Sequence, residues 1–435
     1  ANNLAHTTIQ FDHFVIGNSG PDGPNLSVDG GGYNLTLQTN QNTGVFTFQP
    51  NTSFTYTGGG DLTIETGTFS GNSGNIGGEG NITLTGKNNA AALTLPGNVL
   101  AGRDLTVIAA DSLNVNHDLL TMNGNLFLQV VDALNVTNSN LFAGGTGNIT
   151  LLARDNMTLT NTDVTAGGDF TALLIDFLHP HTYHSGGNIS ITANAANPKS
   201  IVAGRTLTIG NFVGQNPYNG GDVTIQNVDL TATDTDYKGY LWLTGQGKLT
   251  VSNSDLTAYA NEESQDDFLQ FGHMYGLVGT AFNRGVTITD STIAAGTFAS
   301  INNNDLHESD DPGPPYNYNR SAAGDIVIKS ATGDSISAPF AIVVGNDTNT
   351  GKVELDNMTL TGTQGIAGTR GAFIMVTSWG NIVLKDSELS TSWTTPDGFG
   401  SGFIKLQSHT GATLNNTDIL AGTEVDISNV ALADR

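Results

Sequence analysis

A short phrase recurs along nearly the whole chain: one or two Gly, an Asp or Asn, an apolar residue, Thr or another polar residue, then a second apolar residue. It reads Gly60-Asp61-Leu62-Thr63-Ile64, Gly80-Asn81-Ile82-Thr83-Leu84, Gly147-Asn148-Ile149-Thr150-Leu151, Gly221-Asp222-Val223-Thr224-Ile225 and Gly380-Asn381-Ile382-Val383-Leu384. Most phrases start about 16 to 28 residues apart, a spacing that marks a stacked repeat. Each phrase alternates apolar and polar residues, so one side of a short strand faces a core and the other faces solvent. A second alternating phrase follows in many repeats, as in Ser112-Leu113-Asn114-Val115 and Asn156-Met157-Thr158-Leu159. Between them lie Asn253-Ser254-Asp255, Asn161-Thr162-Asp163 and Ala166-Gly167-Gly168. These are turn residues: Gly takes positive φ without strain, and Asn and Asp bond their own backbone.

A unit of two or three such strands cannot bury its apolar side alone. Coiled into a right-handed parallel β-helix, each strand lies against its equivalent one turn away, about 4.8 Å along the axis. The expected fold is therefore all-β, a single right-handed parallel β-helix, or β-solenoid, with inserted loops. A β-sandwich array would repeat at about 100 residues, and a propeller at about 40 to 50. Long 3.6-residue periodicity is absent and Gly numbers 55, which argues against helix.

Four regions are expected. Residues 1–58 are less regular and form an N-terminal strand and cap region, residues 59–260 are regular coils, residues 261–322 are coils with long insertions, and residues 323–435 are C-terminal coils. The insertions are read at about 261–282 and 302–319, where acidic and aromatic residues mix with Asp310-Asp311-Pro312-Gly313-Pro314-Pro315.

The chain holds 15 Lys and Arg against 40 Asp and Glu, a formal charge of −25, which disfavours nucleic acid, anionic membrane surfaces and polyanionic glycans. There is no Cys, so neither disulfides nor thiolate metal sites contribute. No apolar stretch is long enough to span a membrane. A chain that begins at Ala1, poor in Lys and rich in Asn, Thr and Gly, is expected to be secreted and to work outside the cell or on its surface.

An uncovered β-helix end presents a coil of unpaired backbone groups. No amphipathic capping helix is visible at either end, and apolar strands lie near both. Ile9, Phe11, Phe14 and Ile16 near one end, with Val425 and Ile427 near the other, are therefore the candidate assembly interface. The partner they imply is a copy of the same chain, joined by end-to-end stacking or strand donation.

Chemistry-bearing clusters are few. His179, His181 and His184, with Asp176 nearby, form a candidate site for a transition metal; a solvated loop is the alternative. Asp-rich turns such as Asp234-Thr235-Asp236 and Asp266-Asp267 suit weak calcium binding but match no calcium-loop spacing. No cofactor is required by any other feature. Tyr237, Tyr240, Trp242, Phe268, Phe271, Tyr275 and Tyr316 are candidates for stacking on a neutral glycan or meeting a cell-surface receptor. Glycoside hydrolysis needs two carboxylates held together across the bond. Here the adjacent pairs Asp266-Asp267 and Asp310-Asp311 point opposite ways on a strand, and no catalytic residue is assigned. A polysaccharide lyase or glycosidase is the least favoured reading.

The phrases Ala101-Gly102-Arg103-Asp104-Leu105-Thr106-Val107 and Ala166-Gly167-Gly168-Asp169-Phe170-Thr171 resemble the repeats of filamentous-haemagglutinin-like exoproteins and related bacterial adhesins of the parallel β-helix type. The resemblance covers most of the chain from about residue 59 onward. It implies an extracellular, non-enzymatic rod for adhesion or surface structure. The expected function is thus a secreted structural protein, a self-assembling subunit of an extracellular filament or biofilm matrix. A monomeric cell-surface adhesin is the second reading.

Overall fold

The computed structural model describes residues 6–16, 25–40, 42–49, 51–71, 74–175, 187–211, 221–233, 239–245, 247–259, 277–282, 284–303, 324–346, 351–363, 371–392 and 402–429. Among them there is no helix, and every strand-to-strand ladder is parallel. The fold is a parallel β-helix, as the repeat requires. The chain divides into two compact units, one of Ala1–Pro180 with Ser190–Gly204, the other of His181–Ile189 with Arg205–Arg435.

In unit one a long sheet runs His6–Phe11, Asn34–Thr39, Leu62–Thr66, Ile82–Gly86, Leu105–Ala109, Leu126–Val130, Ile149–Ala153 and Phe170–Leu174, each strand bonded to the next. A third sheet runs in parallel from Asn25–Asp29 to Lys199–Ala203. The second face starts as the three strands His13–Ile16, Val45–Phe48 and Thr68–Ser70 and continues from Leu93–Thr94 through Met157–Thr160. Unit two repeats the plan. Its long sheet starts at Thr206–Asn211 and ends at Glu424–Asn429, flanked by sheets whose last strands are Gly411–Asn415 and Asp418–Leu420.

Register is strict because slipping one residue would turn the apolar column out to solvent. Leu105 pairs with Ile82 and Leu126, and Val107 with Leu84 and Leu128, and all six are buried. Ala101, Ala143 and Ala166 are buried as the last residues of their third-sheet strands. The coils of residues 1–58 follow the same rule, with Leu35 on Leu62 and Leu37 on Ile64. Their core is aromatic, with Phe46, Phe48 and Phe54 fully buried.

The Gly-Asx opening of each phrase has a specific cause. The Oδ1 of Asn34, Asp61, Asn81, Asp104, Asn125 and Asn148 each accepts the backbone N–H of the equivalent Asx one coil on, at 2.7–3.1 Å. In unit two, Asn188 and Asp222 do the same for Asp222 and Lys248. The Gly before the Asx is required by close approach of successive coils: a Cβ at Gly80 or Gly147 would collide with the carbonyl oxygen of Gly60 or Gly124.

The Asn-Ser/Thr-Asx triplets form a second device. Asn161 and Asn253 adopt left-handed backbone, at φ 50° and 49°. That turn points the next side chain inward: Thr162 and Ser254 are buried, and their hydroxyls donate to Thr160 and Ser252 carbonyls at 3.1 and 2.9 Å. These triplets carry an inward polar column as well as a turn.

Two boundaries read from the sequence shift. The insertion expected at 261–282 overlaps the strand Leu277–Phe282, whose Phe282 is buried, and the one expected at 302–319 begins inside the strand Phe298–Asn303. Asn303 is fully buried there. The cause is the Asn303–Asn346 pair, which satisfies polar atoms inside the coil. Asn303 accepts from Gly285 N–H at 3.0 Å, and the Nδ2 atoms of Asn303 and Asn346 both donate to Gly324 O at 3.1 Å.

Candidate functional site

The residues expected to join copies lie on the first described coil of unit one and the last described coil of unit two. At the C-terminal end, Val425 pairs with Ile404 and Ile427 with Leu406. Ile404 and Leu406 are fully buried, whereas Val425 and Ile427 keep 44% and 49% of their surface. Leu414, in register with the buried Leu384, keeps 42%. At the other end Ile9 pairs with buried Leu37 yet is 38% exposed. Phe11 is half-buried and its ring lies 4.9 Å from that of Phe14, which stacks on Phe46 at 4.5 Å. Ile16 is buried, in register with Phe48. Among the described residues, His6–Phe11 in unit one and Glu424–Asn429 in unit two each pair with one long-sheet strand, so each presents an edge.

Tyr240 and Trp242 lie on the outer face of unit two, half-buried, their rings stacked at 6.0 Å and 20°. Burial pushes the Tyr240 hydroxyl above its usual pKa. Farther along the same sheet Phe373 and Phe403 stack at 5.2 Å and 3°. The remaining glycan or receptor candidates, Tyr237, Phe268, Phe271, Tyr275 and Tyr316, and the metal candidates Asp176, His179, His181 and His184 lie outside the described residues.

Among the described residues, no group of three His, Cys, Asp or Glu side chains is placed to hold a metal ion. Asp163, from the Asn-Thr-Asp triplet, pairs with Lys199 at 2.8 Å and accepts Ser200 N–H at 3.1 Å, so its carboxylate is engaged in holding two coils together. Asp111, Asp132 and Asp155 stack on successive coils of unit one, linked backbone to backbone. The Asp155 carboxyl shares a hydrogen bond with Asp132 and raises its pKa, while the Ser112 hydroxyl donating at 2.9 Å opposes the rise.

One surface was missed. Leu100, Leu120 and Phe142 lie in register on the outer face of the third sheet of unit one, and Leu100 and Phe142 are exposed. The signal was present: Val99-Leu100-Ala101, Leu119-Leu120 and Leu141-Phe142-Ala143 break the alternation with an apolar residue at an outward position.

No family model matches the chain, and neither a curated protein nor a solved structure matches it.

Proposed function

We propose that this protein is a secreted, non-enzymatic structural element whose copies assemble end to end into an extracellular filament or matrix. The observation that carries the reading is that Ile9 and Ile427, on edge strands of units one and two, keep much of their surface while their in-register neighbours Leu37 and Leu406 are buried. Covering such a cross-section with a second copy removes apolar surface from water at about 25 cal/mol per Å² and pairs the free strand edges. The strongly acidic surface suits a solvated external lattice and keeps lateral contacts weak. Electron microscopy of the purified chain tests this: long fibres are expected. Single particles at every concentration, with strand content intact by circular dichroism, would refute it.

A second reading rests on the outward, stacked Tyr240 and Trp242. In it the protein is a cell-surface adhesin that stacks these rings on a neutral sugar. Loss of glycan retention in the Tyr240→Ala/Trp242→Ala variant, with fibres unaffected, would favour it.

A further inference from the structure

We infer that the outer face of the third sheet of unit one docks a second copy of the chain, the two related by a dyad along the strands. In this pairing Phe142 of each copy lies over Gly77 of the other, and Leu100 over Leu120. The inference is separate from end-to-end joining and stands or falls without it.

The argument starts from side-chain size along one outward row. Gly77, Leu100, Leu120 and Phe142 follow one another in register on four successive coils, with Thr55 before them and Thr165 after. Leu100 and Phe142 are exposed, as is Met122 at the corner beside Leu120. At the start of the row the surface is open. A Cβ on Gly77 would meet only the Thr55 side chain, at 3.5 Å or more, and Gly77 has no left-handed φ. An exposed apolar patch rimmed by polar residues marks a contact surface.

The row complements itself when it is reversed. A dyad along the strands inverts the coil order of the second copy and keeps the strand direction, so the first of the four coils meets the fourth and the second meets the third. The sizes then mate: the position without a side chain takes the largest one, and Leu meets Leu. At the adjoining corner Met122 meets Gly102, its equivalent one coil earlier, which has no side chain. The other dyad open to two facing sheets, along the coil stack, sets each coil on itself. That arrangement drives Phe142 against Phe142 and leaves a gap between the two Gly77 residues.

Charge follows the same pattern. In the reversed pairing Asp118 falls opposite the Asn98 amide, Glu79 opposite Gly144, and Asp163 opposite Ser53. No acid on these rows meets another, although the chain carries a formal charge of −25. The eight strands of this sheet in unit one, about 4.8 Å apart and about 16 Å long, offer roughly 600 Å² per copy. The total of about 1,200 Å² is the lower limit for specific association, so a reversible pair at about 10–100 μM is expected.

Sedimentation velocity of the full chain across that concentration range tests the pairing, with peroxide oxidation of Met122, read by peptide mass spectrometry, as a local probe. Dimers are expected at the upper end, with Met122 oxidised several-fold more slowly than in dilute protein. End-to-end joining leaves Met122 uncovered, so fibres alone would not change its rate. Gly77→Phe sets ring against ring and should abolish both effects; Phe142→Ala opens a gap and should weaken them several-fold. Gly77→Phe/Phe142→Ala moves the large side chain to the other end of the row and should restore pairing. Both positions face outward, so circular dichroism should show the same strand content in all three variants. Monomers at every concentration with a constant Met122 rate would overturn the inference. So would a folded double variant that pairs no better than Gly77→Phe alone.

Discussion

Ile427 stands on Leu406 in parallel register at the outermost coil of unit two, and the two differ in what lies beyond them: Leu406 is fully covered, and Ile427 keeps 49% of its surface. One column position thus has two energetic roles. Leu406→Ala opens a cavity and should cost about 2–5 kcal/mol in folding stability. Ile427→Asp should cost the monomer less, about 1 kcal/mol, since half of the side chain is already in solvent, yet abolish fibres by placing a charge in the joint. Denaturant unfolding and electron microscopy of both variants separate the two effects. Normal fibres from Ile427→Asp would remove Glu424–Asn429 from the interface.

The Asx ladder makes a prediction about atom type. Asn81 works through one acceptor oxygen, which takes the Asp104 N–H at 3.1 Å, and its own N–H is capped by Asp61. Asn81→Asp keeps the acceptor and should cost only a few tenths of a kcal/mol through repulsion by Asp61 and Asp104. Asn81→Ala leaves the Asp104 N–H to water and should cost about 0.5–1.5 kcal/mol, the net value of one hydrogen bond. Equal urea midpoints for the two variants would show that the ladder contributes nothing beyond turn geometry.

How much of this was legible follows from how local each constraint is. Gly80-Asn81 is visible in the sequence because close coil approach excludes a Cβ and the next coil needs an acceptor, and few residue types meet both demands. Asn161-Thr162-Asp163 gave away its turn, since Asn tolerates the left-handed backbone, but the inward rotation of Thr162 depends on the Thr160 carbonyl beneath it. Asn303 reads as part of the 302–319 loop because its partners, Asn346 and the Gly324 carbonyl, are distant in sequence. The end-coil residues were found from their apolar strands.

The acidic stack of unit one gives a pH prediction. Asp132 has its folded pKa raised above the unfolded value near 3.8, first by the hydrogen bond from Asp155 and then by burial and neighbouring charge. A carboxyl whose pKa rises on folding binds its proton more tightly in the native state, so it stabilises the fold at and below the unfolded value. That contribution is lost as pH rises through the folded pKa. Asp132→Asn keeps an acceptor for Ser112 and removes the charge, so it should raise Tm slightly at pH 7 and remove the part of any gain on acidification that comes from this carboxyl. An unchanged Tm at pH 7 would show that solvent screens the stack fully.

Asn346 tests whether the interior polar pair of unit two is specific for an amide. Its Nδ2 donates to the carbonyls of Gly324 and Lys352 at 3.1 and 3.0 Å, and its Oδ1 accepts from Asn303 at 3.3 Å. Asn346→Ala leaves those carbonyls without this donor, at about 1–3 kcal/mol. Asn346→Asp does worse, because it sets a buried carboxylate against the two carbonyl oxygens that the amide served, and about 3 kcal/mol or more should be lost at pH 7. Burial disfavours the charged form, so the new carboxyl titrates above its normal range and stability should recover on acidification through that raised pKa. Chemical denaturation at pH 7 and pH 5 decides it: Asn346→Asp should be the weaker of the two at pH 7 and close the gap at pH 5. Identical curves at both pH values would mean that the carboxylate reaches solvent and that the column is not the dry core its burial implies.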